Sequence, residues 1–540
     1  MESISGKWVD IENRRIVPGI FTIEGGTIQH FTESETVEDR FILPGFIDAH
    51  IHIESSMLVP YEFARVALTH GTVATVSDPH EIANVLGLEG VFYMLENARD
   101  ARLKFHFGAP SCVPATGFET AGALLDTADT ETLLRRPDIF YLSEMMNYPG
   151  VLNGDTGVME KITIAHKYNK PVDGHAPGLR GAAAATYAAA GITTDHECFT
   201  LEEALEKIGY GMKILIREGS AARNFEALHP LLKSHPGSCM FCCDDLHPDE
   251  LLLGHINRHV SRAIALGYDV FDVLHAACIH PVKHYKLTSG LLKPGDPADF
   301  IITRDIKEFV VIATYINGER VAFNGQCILP EKQHASVNNF HTGPLTADDF
   351  KVTAEGAMAR VIEVYDGQLV TGNGTAGLKE AGGYAVSCTE TDVLKICVVN
   401  RYNPAPPAKG FIRHFGLKRG AIASSVAHDS HNIIAVGTDD DSIARAVNLL
   451  IAHTGGLSAV DGNEELVIGL PVAGLMSDRS CSETGRLYAE IDSKAKQMGS
   501  RLRAPFMSLS FMALLVIPEL KLSDKGLFDG KNFGFTTLFD

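Results

Sequence analysis

The chain has 540 residues, of which 45% are hydrophobic and 21% charged, and its formal net charge is −20. This composition is typical of globular proteins, and the length exceeds what one hydrophobic core usually supports. The negative charge would repel phosphate backbones, so nucleic acid is not expected as a partner.

The sequence predicts a cytoplasmic protein that does not enter a membrane. Residues 1–4 have neither the basic nor the apolar part of a signal peptide. The ten cysteines are scattered along the chain, which is typical of thiols that stay reduced. The apolar run over residues 506–517 is too short to span a bilayer and is predicted to be buried in a core.

Residues 5–40 are predicted to form short strands around a turn at Gly25-Gly26. From about residue 44 to residue 290, short apolar runs alternate with stretches of helical periodicity. The predicted strands of this region cover 42–48, 72–77, 104–109, 139–143, 171–174, 192–195, 212–216 and 239–243. Eight such strand-plus-helix units predict an α/β fold of the (β/α)8 TIM-barrel type. The alternative is a doubly wound open sheet, which is disfavoured because no glycine-rich phosphate loop follows an early strand.

After this region, residues 290–328 are again predicted as strands, with a turn at Asn317-Gly318. Residues 341–540 have an α/β pattern that includes an apolar segment over 421–437 and a helix over 442–452. The predicted organisation is therefore a small β domain from residues 1–43 and 290–340, a catalytic barrel over 44–289, and a C-terminal α/β domain over 341–540.

Two histidines end the first predicted barrel strand, which follows the chain break at Pro44-Gly45. His50 and His52 are two residues apart, so on a strand their imidazoles face the same side, about 6–7 Å apart along the chain. Two imidazoles that converge at a strand end supply half of a typical metal site.

Catalytic residues of TIM barrels lie at the carboxyl ends of the strands. The ends of predicted strands 1, 4, 5, 6 and 8 carry His50, His52, Glu144, His175, His196 and Asp244. Each has an ordinary structural interpretation when it is taken singly, such as a helix cap for Asp244. Together they are more numerous than the ligands that one Zn²⁺ takes, so this set of residues predicts two metal ions with a bridging carboxylate.

Several stretches resemble the adenine deaminases of the amidohydrolase superfamily. Residues 44–52 are similar to the first barrel strand of that superfamily, and the stretches that narrow the resemblance are 53–57, 78–81, 111–115, 144–150, 173–178 and 216–224. The resemblance implies hydrolysis of adenine to hypoxanthine and ammonia, a step of purine salvage, by a metal-activated hydroxide that attacks C6. It also implies a β-sandwich built from the two flanking segments, a homo-oligomer, and two divalent ions, Mn or Fe with Zn also suited.

The resemblance implies roles for two carboxylates of the predicted metal site. Many related enzymes bridge their metals with a carbamylated lysine on strand 4, whereas this chain has Leu142-Ser143-Glu144, so Glu144 is the expected bridge. Asp244 is the expected proton shuttle between the hydroxide and the leaving amine. Asp245 stays an alternative, because neighbouring residues on a strand face opposite sides and only one can face the metals.

The sequence identifies less clearly the residues that would contact the purine or protonate its ring. Mononuclear adenosine and cytosine deaminases place a glutamate three residues after the strand-5 histidine, and here Gly178 occupies that position. Glu81 and Glu119 are therefore the candidates for protonating the ring. Arg217 and Glu218, at the end of strand 7, are candidates for substrate contacts, and a structural ion pair is the alternative for them.

Two further patterns could indicate a site. Cys239-x-x-Cys242 is spaced like a redox or zinc motif, but residues i and i+3 of a strand face opposite sides, so joint ligation is not expected. His428 and His431, in the polar stretch 425–432, are predicted to close over the active site, to bind another metal, or to lie in a loop with polar caps.

Two other functions stay open from the sequence. A hydantoinase-like or dihydropyrimidinase-like hydrolase of cyclic amides would have the same architecture, and the missing strand-4 lysine disfavours it. A non-catalytic metal-binding scaffold is disfavoured by the complete set of ligands.

Overall fold

The structure is a computed structural model that describes residues 1–220 and 222–539. Ala221, which falls in the 216–224 stretch, and Asp540 lie outside the described residues. Within the described ranges, no helix is both long and apolar enough to cross a bilayer.

The amino-terminal residues form the predicted strands. These are β1 (Glu2–Asp10), β2 (Arg15–Glu24), β3 (Thr27–Glu33) and β4 (Phe41–Pro44). β1, β2 and β3 pair in an antiparallel arrangement, and β4 lies parallel to β1 on its other side.

Parallel strands then form a closed ring. Across residues 1–220 and 222–539 there are eight of them: β5 (Phe46–Ile51), β6 (Thr72–Ser77), β7 (Lys104–Ala109), β8 (Ile139–Met145), β9 (Val172–Gly174), β10 (Thr194–Asp195), β11 (Lys213–Arg217) and β12 (Cys239–Cys242). β5 to β9 pair in order, and so do β10 to β12. Parallel bridges from Val172 to Ile192 and from Ile51 to Asp244 join the two groups. The predicted TIM-barrel-like domain is thereby confirmed.

Helices connect the strands of this domain. They are α1 (Pro60–Ala67), α2 (His80–Leu86), α3 (Leu88–Ala98), α4 (Thr127–Leu134), α5 (Tyr148–Asn153), α6 (Thr156–Lys167), α7 (Gly181–Ala189), α8 (Leu201–Gly209), α9 (Phe225–Leu228), α10 (Leu231–Ser234), α11 (Pro248–Leu251), α12 (Ile256–Ala265), α13 (Val270–Leu274) and α14 (His280–Tyr285). Polar side chains cap several amino termini, because the first backbone N–H groups of a helix lack partners within it. Asp126 accepts two such N–H groups at the start of α4, and Thr200 accepts one at the start of α8.

The first barrel strand begins later than predicted. The sequence suggested one strand over residues 42–48, but the structure divides this run at Gly45 between two sheets. A β-carbon on Gly45 would lie 2.1 Å from Val73 Cγ1, so the backbone of this position packs directly against β6. Pro44, which lacks a backbone N–H, ends β4 just before the division.

The segment that follows the barrel joins the amino-terminal sheet. Its strands are β13 (Phe300–Thr303), β14 (Val311–Ile316), β15 (Glu319–Phe323) and β16 (Gln326–Cys327). β13 pairs with β4, so the order of this sheet is β16-β15-β14-β13-β4-β1-β2-β3. The two ends of the barrel segment are therefore held by one sheet.

The C-terminal region contains a second large sheet. Its strands are β17 (Val352–Thr353), β18 (Met358–Glu363), β19 (Gly372–Gly377), β20 (Lys379–Ala381), β21 (Tyr384–Val386), β22 (Val393–Val399), β23 (Ala408–Arg413), β24 (Ala421–Ser424), β25 (Ile433–Gly437), β26 (Gly456–Asp461), β27 (Glu464–Gly469), β28 (Leu520–Ser523), β29 (Gly526–Asp529) and β30 (Gly534–Phe535). The main sheet runs in the order β19-β18-β23-β22-β25-β24-β26-β27. The loop between β24 and β25 carries the polar stretch 425–432.

Three helices of the C-terminal region are α15 (Asp440–Ala452), α16 (Cys481–Gln497) and α17 (Pro505–Ser510), within the residues that the structure describes. The helix predicted over 442–452 starts two residues earlier, because Asp439 accepts the N–H of Ser442 at 2.7 Å and caps the first turn. The apolar run over 506–517 is buried, as predicted, with Leu509 and Leu515 fully enclosed.

We predict that Gly45→Ala destabilises the protein by about 1–3 kcal/mol, because an added methyl group must displace Val73 and separate β5 from β6. Denaturant unfolding measures the loss. Gly237→Ala is the matched control, since a β-carbon there would meet nothing within 4 Å. Equal midpoints for the two variants would contradict the close packing at Gly45.

Candidate metal centre

The candidate metal centre lies where the carboxyl ends of the barrel strands meet. His50 and His52 sit at the end of β5 and just beyond it, and their Nε2 atoms are 3.2 Å apart. The strand that carries them is held by Asp48, whose Oδ1 accepts the N–H groups of His50 at 3.3 Å and of Cys243 at 3.1 Å. The alternation of side chains along the strand thus places both imidazoles on the same side, as predicted.

Glu144 lies at the centre of the cluster. Its Oε2 is 2.7 Å from His175 Nδ1 and 3.1 Å from His196 Nε2, and its Oε1 is 3.3 Å from His52 Nε2. Burial by itself would raise the pKa of Glu144, but the surrounding imidazoles outweigh it and hold this pKa well below its ordinary value. Each oxygen of the carboxylate therefore faces different imidazoles, which is the arrangement a bridging ligand needs.

Asp244, rather than Asp245, lies among the imidazoles. Its Oδ1 is 3.1 Å from His52 Nε2 and 3.6 Å from His50 Nε2. Its backbone is left-handed, with φ +58°, an uncommon conformation outside glycine that is often found at functional sites. Asp245 instead accepts the hydroxyl of Ser55 at 2.5 Å, and burial together with the charge of Asp244 raises its pKa to about 6.

Arg217 lies beside the cluster and is fully buried. Its Nη1 donates to the carboxylates of both Glu197 and Asp244, and its Nε donates to the carbonyl of Ala222 at 2.6 Å. Burial opposes ionisation of Asp244, but Arg217 and the neighbouring imidazoles hold the pKa of Asp244 well below its ordinary value. Glu218 lies outside the cluster, in an ion pair of 2.6 Å with Arg262 of α12, so the structure does not bring it to the other predicted residues.

Glu81 and Glu119 lie close to the polar loop of the C-terminal region. Glu81 Oε1 is 2.6 Å from His428 Nδ1, and Glu81 Oε2 contacts His431 Nε2. Glu119 is buried and accepts the hydroxyl of Thr116 at 3.2 Å. Burial, assisted by the nearby charge of Asp429, raises the pKa of Glu119 to about 8.

Three residues of the cluster, Asp78, His80 and Glu197, were not predicted from the sequence as site residues. His80 Nδ1 lies 3.6 Å from Glu144 Oε1 and 3.1 Å from Asp78 Oδ2. Glu197 Oε1 lies 3.5 Å from His196 Nε2. Asp78 and His80 follow β6, a strand to which the strand-end rule was not applied, whereas Glu197 follows β10, where only the neighbouring His196 was selected.

The donor atoms present fit divalent metal ions. Ligand atoms within 4.8 Å of one another occur in three overlapping buried groups: His50, His196 and Asp244; Glu144, His175 and His196; and His52, Asp78, His80 and Glu144. His50 Nδ1 and His175 Nε2 are buried without a hydrogen-bond partner among the described residues. Imidazole nitrogens mixed with carboxylate oxygens suit Mn, Fe and Zn.

The two cysteines of the Cys239-x-x-Cys242 pattern do not form such a site. Cys239 packs in the large core that includes Ile214 and Phe241, whereas Cys242 packs in a separate cluster with Leu215 and Met240. The two thiols therefore lie on opposite faces of β12, as the alternation of a strand predicted.

A TIM-barrel-like domain with buried imidazoles and carboxylates at its strand ends has the architecture of the metal-dependent amidohydrolases. The model of the Amidohydrolase family matches residues 41–321, and the model of the Adenine deaminase C-terminal domain matches residues 368–534. The chain is 54% identical to the adenine deaminase of Sulfurovum sp. over 98% of each chain. It is 53% identical to that of Salinibacter ruber over 99% of each chain, and 51% identical to that of Methanosarcina acetivorans over 100% of each. The chain belongs to the adenine deaminase family.

A buried lysine supports the strand ends that carry two of the histidines. Lys207 Nζ donates to the carbonyl of Ala176, next to His175, at 2.7 Å, and to the carboxylate of Asp195, next to His196, at 2.8 Å. Both charged side chains are fully buried. Their pairing is therefore needed to keep either charge in the interior.

We predict that Lys207→Met destabilises the protein by about 3–5 kcal/mol, because it leaves the Asp195 carboxylate buried without its cation. Denaturant unfolding measures the change. The matched control is Lys213→Met, since Lys213 donates to the carbonyl of Gly237 at an exposed position and should matter by less than about 0.5 kcal/mol. A Lys207→Met protein as stable as the control would contradict this account.

Proposed function

We propose that this chain hydrolyses adenine to hypoxanthine and ammonia, as a step of purine salvage. The observation that carries the proposal is the match to adenine deaminases along the whole chain, which includes the C-terminal region as well as the barrel. The cluster around Glu144 supports it independently, because its ligands suit metal-assisted hydrolysis.

Two divalent ions, Mn or Fe with Zn also suited, would be held by the predicted ligands His50, His52, Glu144, His175, His196 and Asp244. His80 and Asp78 lie close enough to take part or to orient His52 and Glu144. When bound, such ions lower the pKa of water and so supply a nucleophile at neutral pH.

Asp244 would transfer the proton of the attacking water. Arg217 keeps Asp244 ionised, so its Oδ1 can accept this proton and pass it to the amino group that leaves C6. Arg217 itself is enclosed between two carboxylates, so we propose that it acts by positioning Asp244 and not by touching the purine.

The proton for the purine ring would come from Glu81 or Glu119. Because its pKa is about 8, Glu119 holds a proton at neutral pH and could donate it. Glu81 is ionised next to two imidazoles, so it would first receive a proton from one of these imidazoles and then pass it to the ring. The geometry supports both residues as candidates.

We propose a small β-sandwich domain from residues 1–43 and 290–340, the catalytic barrel over 44–289, and a C-terminal α/β domain over 341–540. We further propose that the protein is a cytoplasmic homo-oligomer, on the strength of its family.

We predict that the purified protein, loaded with Mn²⁺, releases ammonia from adenine and acts poorly on adenosine. A pocket discriminates small differences in ligand bulk by only about 1–3 kcal/mol of binding free energy. A ribose on N9 enlarges the ligand much more than this, so adenosine should be rejected strongly. Ammonia release and product chromatography measure the reaction on adenine, adenosine and a dihydropyrimidine ring side by side. Opening of the cyclic amide without action on adenine would favour the hydantoinase-like function instead.

We predict that Glu144→Gln reduces turnover by at least about 10³-fold and lowers the metal content below two ions per chain, because an amide lacks the negative charge and the second anionic oxygen of a bridge. Elemental analysis and steady-state kinetics measure both effects. Glu89→Gln, on the exposed side of α3, is the control. Near-normal turnover with full metal content would contradict the bridging role.

A further inference from the structure

The C-terminal region contributes two imidazoles to the neighbourhood of the candidate active site. His428 and His431 lie in the loop between β24 and β25, and both are buried against Glu81 of α2. The contact joins residues 347 positions apart in the chain. Both oxygens of the Glu81 carboxylate are contacted, Oε1 by His428 Nδ1 and Oε2 by His431 Nε2.

The backbone around His431 determines which of its nitrogens carries the proton. The N–H of Ala427 donates to His431 Nδ1 at 3.3 Å, so this nitrogen is an acceptor and Nε2 must carry the hydrogen of the neutral ring. Burial lowers the pKa of His431, which agrees with a neutral imidazole. The protonated Nε2 of His431 therefore faces Glu81 Oε2, with which it is in contact.

His428 donates to the other oxygen. Glu81 is held in its ionised form, so its Oε1 can only accept, and the proton of this 2.6 Å contact belongs to His428 Nδ1. The ring of His428 is stacked on Phe511, with centroids 4.6 Å apart and planes inclined by 14°. His428 Nε2 is buried and has no hydrogen-bond partner among the described residues.

The loop that carries these histidines is fixed from both sides. Tyr402 donates its hydroxyl to the carbonyl of Ser430 at 2.6 Å, and Arg401 donates to the carbonyl of His431 at 3.3 Å. Asn432 donates to the carbonyl of Thr120, in the barrel segment, at 2.8 Å. His431 itself has a left-handed backbone with φ +54°, a conformation that costs free energy and persists only where the surroundings impose it.

We propose that His428 and His431 are positioning residues for Glu81, so that the C-terminal region completes the active site. This rests on the proposed function, in which Glu81 is, with Glu119, one of the two candidates for protonating the purine ring. The two imidazoles of a fixed loop contact one carboxylate oxygen each and so hold the carboxylate in one orientation, and each oxygen keeps a lone pair for the substrate or a proton. A misplacement of about 1 Å is enough to cost about 10²-fold in rate.

The same three side chains could be regarded as a third metal site, since their ligand atoms lie within 4.8 Å of one another. The tautomer of His431 opposes this interpretation. A metal bound at Nε2 needs a lone pair on that nitrogen, whereas the Ala427 N–H places the proton there. The two interpretations predict opposite results for amide substitutions, because an amide N–H replaces a hydrogen-bond donor but not a metal ligand.

The test uses amides that reproduce or shift each donor. Asn places its amide nitrogen where histidine has Nδ1, and Gln places it where histidine has Nε2. His428→Asn and His431→Gln therefore keep the donor in place, whereas His428→Gln and His431→Asn displace it by about one bond length. All four variants, together with Glu81→Gln, are made in the full-length, Mn-loaded protein, and kcat, KM and metal content are measured with adenine.

We expect Glu81→Gln to lose at least about 10²-fold in kcat. The displaced-donor variants should lose about 10²-fold in kcat with KM within about threefold of the wild type, and the matched-donor variants should stay within about fivefold in kcat. The metal content should equal that of the wild type throughout. Thermal unfolding checks that matched and displaced variants are equally folded.

Equal kcat for matched and displaced donors would overturn the positioning role, and so would full turnover by Glu81→Gln. Loss of one metal equivalent in all four histidine variants would assign the cluster to a metal ion and overturn it as well. A wild-type protein without action on adenine would instead refute the proposed function, so the two failures are distinguishable.

Discussion

The hydrogen bonds that close the barrel are also the ones that assemble its site. The N–H of Asp244 donates to the carbonyl of His50 at 2.9 Å, and the N–H of His52 donates to the carbonyl of Asp244 at 3.1 Å. These bonds join the last barrel strand to the first, and the residues that make them are three of the candidate ligands. A change that opened this junction would separate Asp244 from both histidines, so folding of the barrel and formation of the site are one event.

The concentration of charge at this junction is tolerable because most of these charges face a group of opposite charge or an imidazole. Glu144 faces imidazoles, Asp244 and Glu197 share Arg217, and Lys207 neutralises Asp195 just below. An unpaired ion at such depth would cost several kcal/mol. The buried ion pairs around the site are therefore as necessary as the candidate ligands, because they let these residues keep their charge in the interior.

Most of the barrel, and the convergence of polar residues at its strand ends, could be predicted from the sequence for a physical reason. Strands of a parallel barrel are buried on both faces, so they stand out as apolar runs, and their carboxyl ends must converge. His50, Glu144, His175 and His196 followed from that geometry. The sequence marks a break at Pro44-Gly45, but it does not show that the run divides there between two sheets, because this division depends on the close approach of Val73 from the neighbouring strand.

No comparable sequence pattern indicated which residues of the barrel contact the C-terminal region. No periodicity relates Glu81 to His428, which are adjacent only because two separately patterned parts of the chain pack together. His80 was missed for a different reason. It starts a helix after Pro79 and so does not belong to an apolar run, although it lies one turn from the end of β6.

The loop 425–432 shifts the pKa values of two carboxyl groups, those of Glu81 and Glu119, in opposite directions. Its imidazoles contact Glu81 and keep the pKa of this carboxyl group well below its ordinary value, whereas Asp429 in the same loop opposes ionisation of Glu119, whose burial already raises its pKa, to about 8. Pairs of carboxyl groups driven apart in this way supply an acid and a base at one pH. A barrel alone would leave both groups without these neighbours. The C-terminal region therefore sets the surroundings of both carboxyl groups, whereas the predicted metal ligands all lie in the barrel.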